Sequence, residues 1–119
     1  MCMIEWADGS WDVHRSDRRV ARKPHRCYEC SRTIEPGETY RNDTGLMEGR
    51  WDTYRTCAHC ARCQDWLNGQ CNGFLYGGVR EDLEEHRHEL CCDITLLRLI
   101  VGMRRRWRKR DGSLMAVPA

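Results

Sequence analysis

Two Cys-x2-Cys pairs, Cys27/Cys30 and Cys57/Cys60, stand 26 residues apart in a chain of 119 residues. That spacing predicts a four-cysteine zinc site. Each pair sets two sulfurs on one side of an ion, and four thiolates around Zn²⁺ close a tetrahedron. The rest of the sequence shows why such a staple is needed. Leu, Ile, Val and Phe make up only 19 of the 119 residues, while Cys numbers nine and Trp five. A core this poor in aliphatic side chains is expected to draw folding energy from a structural metal. Nine cysteines cannot all pair internally. The start of the chain, Met1–Trp6, has neither a basic region nor an apolar run of the secretory kind. A reducing, cytoplasmic setting is therefore expected, where disulfides rarely persist. No apolar run approaches the length of a membrane span.

The segments around the pairs predict a small α+β, zinc-stabilised domain with a treble-clef-like finger over residues 27–68. After Cys30, the run Ser31–Glu38 reads as a knuckle entering a Pro36-Gly37 turn. Strand-like runs follow at Glu38–Gly45 and Arg50–Cys57, joined through Glu48-Gly49. The second pair then opens a short helix, Ala58–Leu67, stopped by Asn68-Gly69. Cys63 continues the series one helical turn beyond Cys60 and is an alternative ligand to it. His59 is expected to be exposed. Cys71, His86, His88, Cys91 and Cys92 could build a second metal site, but nothing in their spacing pins four of them together.

Outside the finger, residues 2–15 read as a hairpin that places Trp6 opposite Trp11, followed by a basic connector over 16–26 without periodicity. A glycine-rich loop, 69–78, carries Phe74 and Tyr76. The stretch 79–111 reads as a long helix or a helix pair. One apolar stripe holds Leu83, Leu90, Ile94, Leu97 and Val101, and a second holds Leu96, Leu99, Ile100, Met103 and Trp107. Asp93 is a candidate N-cap, which would break the helix there. Residues 112–119 are expected to form a loose tail.

The net charge is only +2 and unevenly spread, with +5 concentrated over residues 104–119. Arg104, Arg105, Arg106, Arg108, Lys109 and Arg110 surround Trp107 there. Such a cluster could contact phosphates, engage an acidic protein surface, or remain a solvated helix end. Leu96, Ile100, Met103 and Trp107 would anchor a protein partner, including a second copy through residues 94–107. A zinc held by four cysteines has no open position for activating water. No Walker loop, nucleophile elbow or deaminase signature is present, and the hairpin carries Asp43 and Asp52 but no His for a finger nuclease. Binding rather than catalysis is expected, with no small-molecule substrate.

The run Arg22–Cys30, with Ile34, Pro36-Gly37-Glu38, Tyr40, Trp51-Asp52, Thr56-Cys57 and Cys60, resembles small zinc-finger proteins of tailed phages and prophages. Leu97-Arg98-Leu99, Val101–Trp107 and Asp111–Pro118 extend the resemblance to about residues 22–118. It implies the metal and the fold rather than a reaction. It also implies a host bacterial cytoplasm. A host protein or nucleoprotein complex is the partner expected, with inhibition of a defence system as one example. Nucleic acid bound without sequence preference is the alternative.

Overall fold

The computed structural model describes residues 13–47, 49–71, 73–89 and 93–118, and shows a small α+β arrangement. Its strands are β1 (Val13–Val20), β2 (His25–Arg26), β3 (Thr33–Ile34), β4 (Thr39–Met47) and β5 (Arg50–Cys57). Its helices are α1 (Ala58–Cys71), α2 (Val79–Glu89) and α3 (Ile94–Arg104). β1, β4 and β5 form an antiparallel sheet in that order, and β2 and β3 form a two-stranded one.

The central hairpin follows the expectation closely. β4 and β5 pair from Tyr40 opposite Cys57 to Met47 opposite Arg50, and Gly49 adopts φ +76° in the connection. β1 was not foreseen at its full length. The expected connector begins as strand, with Arg15 through Val20 pairing to β4 residues Thr44 through Thr39. Arg and Asp hide the strand signal, because this edge strand is exposed along residues 15–20 and needs no apolar face. The other half of the expected N-terminal hairpin, with Trp6 and Trp11, lies outside the described residues.

Helix boundaries depart from the sequence reading at two places. α1 runs on to Cys71 because Gly69 does not take the left-handed conformation that ends a helix. The long helix is split, as the Asp93 signal allows. Asp93 is extended at φ −79° and ψ 107°, and its Oδ1 accepts the Leu96 N–H at 3.0 Å, which opens α3.

α3 ends at Arg104, seven residues before the expected stop. Arg106 and Trp107 have left-handed φ values of 51° and 59°. The Trp107 N–H reaches the Gly102 carbonyl at 2.8 Å, and the Arg106 N–H reaches that of Met103 at 3.0 Å. This is a Schellman closure with Arg106 where glycine is usual. It folds Trp107 back onto its own helix. The following residues are not a loose tail. Lys109 N–H bonds to Ser113 O at 2.8 Å, Met115 N–H bonds to Trp107 O at 2.7 Å, and Arg108 bridges to Leu114.

The core gathers the four paired cysteines with Ile34, Tyr40, Leu67, Val79, Leu83, Leu96, Leu99, Ile100, Met103 and Trp107. Of the two stripes on α3, the one with Leu96, Leu99, Ile100 and Met103 is buried, while Ile94 and Val101 of the other are exposed. No helix among the described residues is long and apolar enough to cross a membrane. The division of α3 is open to test. Leu99→Ala should lower unfolding free energy by about 2–5 kcal/mol. Val101→Ala, at a position 49% exposed, should stay within about 0.5 kcal/mol of the parent in urea denaturation.

Candidate metal centre

The first cysteine pair sits in a tight reversal between β2 and β3. Cys27 N–H bonds to Arg32 O at 2.8 Å, and Ser31 N–H returns to Cys27 O at 3.0 Å with Ser31 at φ 64°. The second pair marks the strand-to-helix junction, with Cys57 ending β5 and Cys60 in the first turn of α1. The knuckle is moored to β5 by Tyr28 N–H on Arg55 O at 2.8 Å. These local structures bring together residues separated by 26 positions.

The four sulfurs lie within 4.8 Å of one another, all on buried residues, and could hold a metal ion. None is in a disulfide, and Cys30 Sγ and Cys57 Sγ are 4.0 Å apart. Among the described residues, backbone and side-chain N–H groups point at the cluster. Cys57 N–H donates to Cys27 Sγ at 3.4 Å, Cys60 N–H to Cys57 Sγ at 3.4 Å, and Trp107 Nε1–H to Cys60 Sγ at 3.2 Å. Such donors favour thiolate over thiol.

Without a cation the cluster is in electrostatic conflict. Hydrogen bonds from Cys27, Cys30 and Cys60 pull the Cys57 thiol far below its ordinary range. Hydrogen bonds with Cys27 and Cys57 push Cys30 far above it, and those with Cys27, Cys30 and Cys57 do the same to Cys60. Cys27 is also held below its ordinary range, chiefly by its hydrogen bond with Cys30, so the four sulfurs ionise unequally. A dication at the centre removes that competition and lets all four act as ligands.

Arg32 supplies fixed positive charge beside the cluster. Burial acts to lower its pKa, but hydrogen bonds to Glu38 and the nearby Cys57 charge outweigh it and hold the guanidinium protonated. Both its terminal nitrogens reach Glu38 carboxylate oxygens at 3.0 Å. NH2 also lies 3.5 Å from His59 Nδ1. A guanidinium can only donate, so Nδ1 accepts and Nε2–H donates to the Met115 carbonyl. His59 was expected at the surface but is only 3% exposed. Its position one residue before a ligand turns it inward, between Arg32, Trp107 and the C-terminal segment.

Cys63 is fully buried but is not part of the four-sulfur group, so it does not take the place of Cys60. Burial pushes its thiol up. The second metal site is not assembled among the described residues, where Cys27, Cys30, Cys57 and Cys60 are the one group with metal-binding geometry. His86 instead meets the Trp66 ring edge-on at 5.4 Å and points Nδ1 at the Asp82 carbonyl at 2.9 Å. His88 is exposed, and Cys91, Cys92 and the Cys71 side chain lie outside what is described.

The expected partner anchors need correction. Leu96, Ile100, Met103 and Trp107 are at most 2% exposed and form the protein's own core. The Schellman closure is the reason for Trp107: it reverses the chain and seats the indole on Gly102, against the metal cluster. Of the cations, Arg104 is occupied by Glu84, with NH2 to Oε1 at 2.7 Å. Arg108 is half-buried, and Arg105, Arg106, Lys109 and Arg110 are exposed.

No protein-family model, curated protein or solved structure matches the chain. Gly102 offers a specific test of the indole's seat. A Cβ added there would stand 2.0 Å from Trp107 Cζ3. Gly102→Ala should therefore expel the ring, costing about 1–3 kcal/mol and red-shifting the emission of Trp107 when the other tryptophans are replaced by Phe. An unshifted spectrum with parental stability would contradict this packing.

Proposed function

We propose that this chain is a zinc-stabilised binding module, with a treble-clef-like finger as its frame and no catalytic role for the metal. The observation that carries the reading is the closed group of four buried thiols. Zinc–sulfur bonds of about 2.3 Å place tetrahedral sulfurs about 3.8 Å apart, close to the 4.0 Å between Cys30 and Cys57. Four sulfur ligands fill the coordination sphere and leave no position for water or substrate. A hard cation such as Mg²⁺ or Ca²⁺ is a poor match for an all-thiol set.

The order of elements supports the finger. A cysteine knuckle, a β-hairpin and a helix bearing the second pair follow one another, as in a treble clef. Its product is a rigid scaffold for binding a macromolecule. The likeness to phage finger proteins supports a host protein or nucleoprotein complex as the partner class, within a reducing cytoplasm where the thiols stay free.

The test is metal content followed through variants. The purified chain should carry one zinc per molecule, Cys60→Ser should lose it, and Cys63→Ala should keep it. Chelation should abolish cooperative thermal unfolding, since structural zinc sites contribute on the order of 10 kcal/mol to folding. Zinc loss in Cys63→Ala together with retention in Cys60→Ser would overturn the ligand set. Metal-dependent cleavage of DNA or RNA by the zinc-loaded chain would overturn the non-catalytic reading.

A further inference from the structure

The β1-β4-β5 sheet has two unlike faces. Residues opposite one another in an antiparallel pair share a face, and neighbours along a strand alternate. One face carries Arg41, Asp43 and Tyr54. It is covered: Arg41 reaches Gln64 and Asp65 of α1, Asp43 accepts from Tyr76, and Tyr54 stacks on Tyr76. The other face carries Arg15, Asp17 and Arg19 from β1, Thr44 from β4, and Trp51, Thr53 and Arg55 from β5. None of these makes a hydrogen bond or ion pair to a helix among the described residues.

That open face is basic on balance, with Arg15, Arg19 and Arg55 against the single carboxylate of Asp17. Toward one end it deepens into a groove of about 760 Å³, walled by Arg19, Arg22, Lys23, His25, Tyr40 and Arg55. No carboxylate lines it. Arg19 is paired with Asp17 at 2.8 Å. Arg22, Lys23 and Arg55 have no ion-pair partner among the described residues, nor does Arg15 farther along the sheet. Trp51 lies beyond the groove on the same face, 60% exposed.

Spacing narrows the partner. Arg19 and Arg55 stand on the two strands flanking β4, about 10 Å apart across the sheet, and Trp51 is about 13 Å along the strand from Arg55. A single phosphate cannot bridge that span, whereas a phosphodiester chain can. An exposed indole on the same strand face as the unpaired Arg55 guanidinium suits a base that is free to stack. We infer that this open sheet face, with its Arg19–Arg55 groove and Trp51, binds single-stranded nucleic acid without sequence preference. The inference rests on the binding-module reading and names its partner and surface. It also moves the contact away from the 104–110 cluster, where Trp107 is buried and Arg104 is occupied.

The experiment uses the full zinc-loaded chain and a fluorescent oligothymidylate of about 20 nucleotides, with anisotropy read across a salt series. Binding should weaken as salt rises. Arg22→Glu with Arg55→Glu should reduce affinity at least about tenfold and flatten the log–log salt slope by about 1.4, the value for two lost single-strand contacts. Trp51→Ala should cost about fivefold or more, whereas Arg105→Glu with Arg110→Glu should stay within about twofold of the parent. Zinc content and far-ultraviolet circular dichroism are checked in each variant. Absence of zinc from the parent would sink the module reading and this inference with it. Full zinc with no oligonucleotide binding would sink the inference alone. So would loss of binding only in the Arg105/Arg110 variant, equal affinity for duplex DNA, or displacement by polyglutamate at equal charge.

Discussion

Four sulfurs withdrawn from water around one point set the terms for the rest of this molecule. Their charge needs a cation at the centre and positive or polar groups around it. The surroundings supply both kinds of group: Arg32 held by Glu38, and N–H donors from Cys57, Cys60 and Trp107. Aliphatic side chains then pack against this centre rather than forming a core of their own. Ile34 arrives from the knuckle and Leu67 from α1, with Leu99, Ile100 and Met103 from α3. That arrangement explains how a chain with so few Leu, Ile and Val residues can hold the helices and sheets of the described residues.

The cluster also reaches the C-terminal end of the chain. Trp107 links Cys60 to the close of α3, and the Met115 carbonyl receives His59 Nε2–H. The backbone bond from Met115 N–H to Trp107 O joins these two contacts. Helix α3 and residues 105–115 are thus built onto the cysteine cluster, and not appended as a free arm. Left-handed backbone at Arg106 and Trp107 carries a cost of order 1 kcal/mol each, offset by the indole's burial and its bond to sulfur.

Much of the cysteine-bearing segment, residues 27–68, was legible in the sequence because its determinants are local. Ligand spacing, the Glu48-Gly49 turn region and the Asp93 cap each act over a few residues, and the structure bears out the β4–β5 hairpin and the capped start of α3. What escaped was set by tertiary context. His59 looks like a surface residue until Arg32 and the Met115 carbonyl are brought to its two nitrogens. Trp107 sits in the most basic stretch of the chain, which suggests a surface role, yet two left-handed residues turn it inward. β1 carries charges on both faces because it is an exposed edge, so it lacks the apolar alternation that marks a half-buried strand. Arg32 was not singled out at all. Its only sequence signal is a charged residue two positions beyond a ligand cysteine.

These surfaces divide the work between an inner and an outer layer. The inner layer fixes the sheet in place through Cys57 at the end of β5. The outer layer is the open sheet face, whose arginines need a rigid backing to hold their spacing. The account therefore stands or falls on the first coordination shell. X-ray absorption at the zinc edge of the purified protein tests it most directly. Four sulfur neighbours at about 2.3 Å and no lighter donor are expected. A nitrogen or oxygen in that shell, or a protein that folds without any bound metal, would contradict it.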